Sequence, residues 1–307
     1  MKPEVAGVIP AALVPFTDDQ AIHEEGYCKH IGELAAHNGV DGILCNGHAG
    51  EIYALRPDER ERIVELAVKA APNTPIYSGV GGATTEAVLE NASAVVAAGA
   101  DAVMVDPPLT PIHGRREAAI DFFEAIVEGI DIPIVLFQIA ARSGRNYSAD
   151  LLAELASLDG IVAIKEGVWE VDHTMADVEA VRAAAPRINY LMGNDEHLLP
   201  CYALGVDGTV VELGAAFPNE IASMYHAVDR GDLETAREID RKLGPLLDVI
   251  YQDPKHDSSI RLKVALELQG RLPTSSPRRP ATPIPADERD AIRETLDTLD
   301  MLAYTVD

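Results

Sequence analysis

Short apolar runs recur along the chain at 7–14, 41–45, 75–79, 101–105, 132–137, 161–165, 188–192 and 207–211. They are rich in Val and Ile and carry few charges, the pattern of strands covered on both faces. Between them, apolar positions return at helical spacing. Segments 24–37, 57–70 and 84–97 read as amphipathic helices. Pro57 stands at a helix-start position, followed by acids that complement the helix dipole. "AAGAD" (97–101) and "LGVDG" (204–208) place glycine between a helix end and the next strand. Eight strand-then-helix units predict an α/β fold, a parallel sheet closed into a (β/α)8 barrel. An open doubly wound sheet is the alternative. Near residue 230 the pattern changes. Segments 232–250, 258–268 and 286–303 read as three helices with no strand between them. The expected division is a barrel over 1–230 and a C-terminal helical extension over 231–307. The Pro- and Ser-rich stretch 272–287 reads as a packed connection, because a long helix follows it.

Composition narrows the function classes. With 307 residues and 47% hydrophobic content the chain can bury a large core. A net charge of −25 argues against nucleic acid and against an anionic membrane surface, since both need a basic face. No run of eighteen apolar residues is present, so no membrane span is expected. The first residues lack a signal-peptide pattern, which makes the cytoplasm the expected location. The cysteines Cys28, Cys45 and Cys201 are odd in number and widely spaced, so they read as small apolar residues. His173, His197 and His256 show no metal-ligand spacing, and no metal is expected.

One residue stands out against this background. The strand-like "GIVAIKEG" (160–167) ends on Lys165, one of only seven lysines against eighteen arginines. Chemistry in a barrel sits at the C-terminal ends of the strands. A lysine held there is partly desolvated, which favours the free amine. Such an amine attacks a ketone or aldehyde to form a Schiff base, and the iminium then accepts electrons from a neighbouring bond. The plainer alternative is a lysine that reaches solvent or pairs with Glu166.

The ordered motifs of the chain resemble those of the dihydrodipicolinate synthase / N-acetylneuraminate lyase family of class I aldolases. "GVIPAALVPF" is similar to that family's first strand, and "NGHAGE" (46–51) to its G-[ST]-T-G-E loop. "IPIVLFQIAARSG" resembles its fifth-strand segment, "IVAIKEG" its Schiff-base strand and "LMGNDEHLLP" the region after its seventh strand. "SSIRLKVALELQGRLP" with "RRPATPI" is similar to its helical tail. The resemblance implies a lyase that forms a lysine imine at Lys165 and needs no other cofactor. It implies a small 2-oxo acid as partner and a homo-oligomer, a tetramer or dimer.

The match also has gaps. Synthase members use a hydroxyl relay of two tyrosines and a threonine. The fifth-strand tyrosine is Phe137 here, the loop hydroxyls are His48 and Ala49, and the fourth-strand "PYY" is "PPL", with Pro108 and Leu109. Phenylalanine cannot pass a proton, so His48 is the candidate general acid/base. The loop keeps Gly47, Gly50 and Glu51, and its backbone N–H groups suit a carboxylate, with Gly47 and Ala49 among the expected substrate contacts. Arg142 matches a family arginine that suits a second carboxylate or a hydroxyl. Phe137, Gln138, Asn194 and Val210 complete the expected substrate contacts. Tyr147 reads as structural, Asp195 as a helix cap, and Glu212 as an acid at the barrel mouth. The leading expectation is aldol cleavage or condensation with pyruvate, or dehydration of a 2-keto-3-deoxy sugar acid. Dihydrodipicolinate synthase proper is the second reading, and a barrel that binds a 2-oxo acid without turnover is the third.

Overall fold

The computed structural model describes residues 4–110, 112, 114–140, 143–168 and 170–306. Eight strands form one parallel sheet: β1 Gly7–Pro10, β2 Ile43–Cys45, β3 Ile76–Val80, β4 Ala102–Val105, β5 Ile134–Ile139, β6 Ile161–Gly167, β7 Asn189–Met192 and β8 Gly208–Val211. Their order is β1-β8-β7-β6-β5-β4-β3-β2, and every paired neighbour is parallel. The β1–β2 seam closes through a parallel bridge between Ala11 and Leu44, with Asp41 N–H donating to the Val8 carbonyl at 2.9 Å. The fold is therefore the expected (β/α)8 TIM barrel. An open sheet is excluded by that seam.

Helices α1 Glu24–Ala36, α2 Pro57–Ala70, α3 Thr85–Ala97, α4 Arg116–Gly129, α5 Ala149–Ala156, α6 Val171–Ala184 and α7 Leu198–Tyr202 follow strands β1 to β7 in turn. After β8 come the short α8 Leu213–Ala216 and then α9 Pro218–Asp229. The caps behave as their residues dictate. The Thr84 side chain accepts from Ala87 N–H, and Pro57 opens α2. The eight strands are almost wholly buried, which is why they read as unbroken apolar runs rather than alternating ones.

The tail holds α10 Leu233–Ile250, α11 Ser258–Leu268 and α12 Ala286–Thr298. The last helix stops short of the expected 303, at Thr298, with Leu299 as its C-cap and a left-handed Asp300 beyond it. Only the first part of 272–287 is packed: residues 274–278 are buried or half-buried, whereas 279–287 run exposed along the surface apart from the half-buried Ile284. Leu272 is buried, and the Arg278 guanidinium holds Glu59 through two bonds of 2.9 Å. Helix α11 is buried almost all round, and its Lys263 reaches Glu51 at the end of the β2 loop at 2.5 Å. The tail is thereby fastened to the mouth of the barrel. Among the described residues, no helix is long and apolar enough to cross a membrane.

Candidate active site

Strand pleat decides which side chains see the barrel interior. Strands β5 and β6 pair Phe137 with Lys165 and Gln138 with Glu166. The first pair points inward and the second outward. Lys165 Nζ lies 3.9 Å from the centroid of the Phe137 ring. Its side chain is enclosed by the barrel but keeps some exposed surface, because it faces an open cavity. Burial pushes its pKa down, opposed by Asp195, Asp106, Glu166 and Glu212 wherever those carboxyls are ionised. No hydrogen bond or ion pair fixes this amine among the described residues. Room for it is made by Gly193. A Cβ at that position would lie 2.1 Å from Lys165 Cε and 2.7 Å from Nζ.

The cavity has a volume of about 690 Å³. One wall is the loop after β2. Asn46 and Glu51 both take left-handed backbone conformations, with φ of 53° and 55°, and so bend the chain around residues 47–50. Asn46 is held there by its amide, which donates to Ser78 Oγ at 2.9 Å and to the Arg60 carbonyl at 3.0 Å. Gly79 lets the loop settle on β3, since a Cβ there would meet the Asn46 carbonyl at 2.2 Å. Gly47, His48 and Ala49 all line the cavity. The family-type Glu51 does not. It is consumed by Lys263 and by the Arg278 N–H.

His48 is not alone. Its Nε2 stands 2.9 Å from the Tyr53 hydroxyl and 3.4 Å from Asp106 Oδ2. The Tyr53 hydroxyl donates to the same Asp106 oxygen at 2.9 Å. Tyr53 is 59% exposed as a residue, but local desolvation of its hydroxyl, reinforced by the Asp106 charge, pushes that pKa up, so it stays protonated. The His48 ring also meets the edge of Phe137, with 5.4 Å between centroids. Phe137 thus touches both the histidine and the lysine.

The opposite wall comes from β7, β8 and the tail. Asn194 and Val210 line it, as do Asp195, Glu212 and Tyr251. Contrary to expectation, Asp195 does not cap the helix that follows it; it faces the cavity and accepts from Leu213 N–H at 2.8 Å, tying the β7 end to the β8 end. Burial raises the pKa of both Asp195 and Glu212, and the charge of Asp195 raises Glu212 further. Among the described residues, no three His, Cys, Asp or Glu side chains converge as a metal site.

The structure brings together Lys165, His48, Gly47, Ala49, Phe137, Asn194 and Val210 around one cavity. Gln138 is not among them. Pleat alternation turns it outward, where its amide donates to Asp177 and to the Tyr147 carbonyl, both at 2.9 Å. Tyr147 is fully buried against Phe123. Arg142 lies outside the described residues. The sequence reading did not anticipate Tyr53, Asp106 or Tyr251. Asp106 was within its reach, because an acid directly after a strand carries the same positional signal as Lys165. Tyr53 and Tyr251 sit on a short turn and a distant helix end, where no local pattern marks them.

A closed barrel with an amine near the end of its sixth strand, open to a cavity and held by no ion pair among the described residues, defines a class I aldolase-type lyase. Comparison with known proteins gives the particular family. Residues 4–299 match the model of the Dihydrodipicolinate synthetase family, and the chain belongs to it. A 4-hydroxy-tetrahydrodipicolinate synthase of Archaeoglobus fulgidus is 29% identical over 299 residues, covering 97% of this chain and 99% of that one. The 4-hydroxy-tetrahydrodipicolinate synthase 1 of Halalkalibacterium halodurans is 31% identical over 93% of this chain and 94% of its own. Among solved structures, a prophage protein of this family from E. coli K12, in complex with pyruvate, has a TM-score of 0.89 at 26% identity, covering 97% of this chain and 99% of that one. The dihydrodipicolinate synthase of Aquifex aeolicus has a TM-score of 0.86 at 27% identity, covering 96% and 98%.

Proposed function

We propose that the protein is a Schiff-base lyase acting on a 2-oxo acid, by aldol cleavage or condensation with pyruvate or by dehydration of a 2-keto-3-deoxy sugar acid. The observation that carries this reading is the Lys165 amine at the cavity, with no hydrogen bond or ion pair among the described residues, beside the glycine-containing loop 47–50. The substrate carboxylate would lie on the backbone N–H groups of Gly47, His48 and Ala49. Phe137, Asn194 and Val210 shape the space around the keto carbon, and Arg142 would grip a polar group further along the substrate. In this reading the lysine imine is the sole covalent cofactor.

The chemistry balances within these groups. The Lys165 amine adds to the keto carbon, and the resulting carbinolamine loses water to give the iminium. In cleavage, His48 takes the proton of the C4 hydroxyl as the C3–C4 bond breaks. The electron pair moves into the iminium, giving an enamine, and an aldehyde leaves. The proton on His48 then returns to C3, and water releases the keto acid and regenerates the amine. Condensation is the same path reversed. In dehydration, a proton leaves C3, hydroxide leaves C4 with a proton, and the iminium holds the charge between the two steps.

The relatives' names support dihydrodipicolinate synthase proper as a second reading. The departures at Phe137, Ala49, Pro108 and Leu109 weigh against it. The protein is to be incubated with pyruvate, reduced with borohydride and weighed. Absence of an adduct on Lys165 defeats the Schiff-base reading. Pyruvate with aspartate semialdehyde, run against a panel of keto-deoxy acids, separates the two readings. Efficient turnover of the first pair establishes the synthase. A cytoplasmic homo-oligomer, a tetramer or dimer, is part of the proposal. Sizing in solution tests the assembly, since one structural neighbour is described as a monomeric dihydrodipicolinate synthase variant.

A further inference from the structure

The contacts behind His48 have a wiring that its position alone does not. Tyr53 Oη lies 2.9 Å from both His48 Nε2 and Asp106 Oδ2. A carboxylate only accepts hydrogen bonds, so the hydroxyl proton goes to Asp106. The hydroxyl then has only lone pairs left for the imidazole. His48 Nε2 must therefore carry a hydrogen, and Nδ1 is the nitrogen with a free lone pair. The Asp106 oxygen also stands 3.4 Å from Nε2. This is the logic by which a buried carboxylate fixes the tautomer of a catalytic histidine, here with a tyrosine inserted between the two.

The arrangement is built, not incidental. Asp106 directly follows β4, and its carboxylate is buried, with 6% of its side chain exposed. Glu51 turns left-handed immediately before the 3-10 turn Ile52–Ala54, which carries Tyr53 across the mouth toward β4. The charges facing the cluster are Arg60 from α2, Arg145 from the segment after β5 and Lys165 from β6. Arg145 is anchored by donating to the Pro107 carbonyl at 2.9 Å.

We infer that Tyr53 and Asp106 are positioning residues that hold His48 as its Nε2–H tautomer, so that Nδ1 serves as the base, in place of the hydroxyl relay this chain lacks. The inference rests on the Schiff-base reading only for what the base does. The wiring itself is a property of the free protein. No co-reactant is required: Nδ1 takes the substrate proton as the C3–C4 bond breaks and returns it to the enamine carbon, while the Tyr53 and Asp106 protons stay in place.

The test uses Tyr53→Phe, Asp106→Asn and Asp106→Ala, each alone and combined with His48→Ala. Borohydride trapping with pyruvate should stay within about 3-fold of the parent, while kcat falls by roughly 10- to 10²-fold and KM changes little. The amide introduced by Asp106→Asn can donate to the tyrosine oxygen and turn its proton toward Nε2, the wrong tautomer. Asp106→Asn should therefore be at least as damaging as Asp106→Ala, the reverse of what packing alone predicts. In the His48→Ala background all three should add little. Ring ¹⁵N shifts should place the hydrogen of neutral His48 on Nε2 in the parent and on a mixture of nitrogens in the variants. A milder loss with Asp106→Asn than with Asp106→Ala, equal losses with and without His48, or an Nδ1–H parent overturns the inference. An absent pyruvate adduct in the parent would instead defeat the Schiff-base reading, and the ¹⁵N result would still decide the wiring.

Discussion

Lys165 and Lys263 both point into the protein, and they meet opposite fates. Lys263 of α11 donates to Glu51 at 2.5 Å, to the Ser276 carbonyl at 2.9 Å and to the Val14 carbonyl at 3.3 Å. Lys165 of β6 faces a ring and a cavity. Burial pushes the pKa of both amines down. At Lys263 the Glu51 charge opposes the shift and three acceptors use up the ammonium protons, so the group is a rivet between tail and loop. At Lys165 the opposing charges come from the cavity walls and the back of the strand, and no acceptor among the described residues takes up its protons. Desolvation alone does not make a lysine reactive. Lys165 combines desolvation with the lack of any hydrogen-bonding partner among the described residues, which is what the Schiff-base proposal requires.

The largest expected effect follows from exchanging each lysine for methionine. Lys165→Met should abolish the borohydride-trapped adduct and lower turnover by at least about 10³-fold, the scale of a lost nucleophile. Its melting temperature should be unchanged or raised, because an uncompensated, enclosed amine is replaced by apolar atoms. Lys263→Met should do the reverse. It strands Glu51, whose side chain is only 13% exposed, and should cost about 3–5 kcal/mol of stability, read by denaturant titration. A Lys165→Met protein that still forms the adduct, or a Lys263→Met protein as stable as the parent, would erase the contrast.

The two lysines also mark how far the sequence could be read. The barrel was legible because buried parallel strands and amphipathic helices alternate without interruption, and the end of each strand is a predictable place. Lys165 was visible for the same reason. Local pattern, through the helix beyond 272–287, also pointed to a packed connection, and that holds for its start but not for the exposed 279–287. What it could not give was any contact across elements. Lys263 reads as one more helix position, and nothing near it in sequence announces Glu51. Tyr53 reads as a loop aromatic until Asp106, 53 residues on, is placed beside it. Gln138 failed for a local reason. Motif alignment carried it in beside Phe137, yet adjacent strand residues face opposite sides.

The availability of the Lys165 amine depends on the empty place at Gly193. Gly193→Ala would put a methyl 2.1 Å from Lys165 Cε and 2.7 Å from the Glu166 carbonyl oxygen. The lysine must then leave its position over Phe137. A displacement of about 1 Å at a reacting group costs on the order of 10²-fold, so the rate of adduct formation with pyruvate should fall by that scale, and the backbone clash with Glu166 should lower stability as well. Rapid-quench trapping measures it. An unchanged rate would mean that the amine tolerates several positions, and the contrast with the riveted Lys263 would become one of degree.

The smallest effect sharpens the comparison from the other side of the same strand. Glu166 is one residue from Lys165 and faces outward, sealed from solvent, with Oε1 accepting from Val168 N–H at 2.8 Å and Oε2 from the Tyr190 hydroxyl. Burial raises its pKa from 4.5 to about 8, so it is neutral at pH 7. The unfolded chain gives up this proton near pH 4.5 while the folded chain keeps it to about 8. Stability contributed by the protonated carboxyl is therefore complete below about 4.5 and lost as pH rises toward 8. Glu166→Gln keeps a neutral group of the same shape that does not titrate. Between about pH 6 and 7 the parent should lose stability by about 1 kcal/mol more than the variant, measured by urea unfolding at each pH. Parallel curves would show that Glu166 is ionised in the folded state. The Lys165 amine would then have an anion immediately behind its strand, and its availability at neutral pH would need another cause.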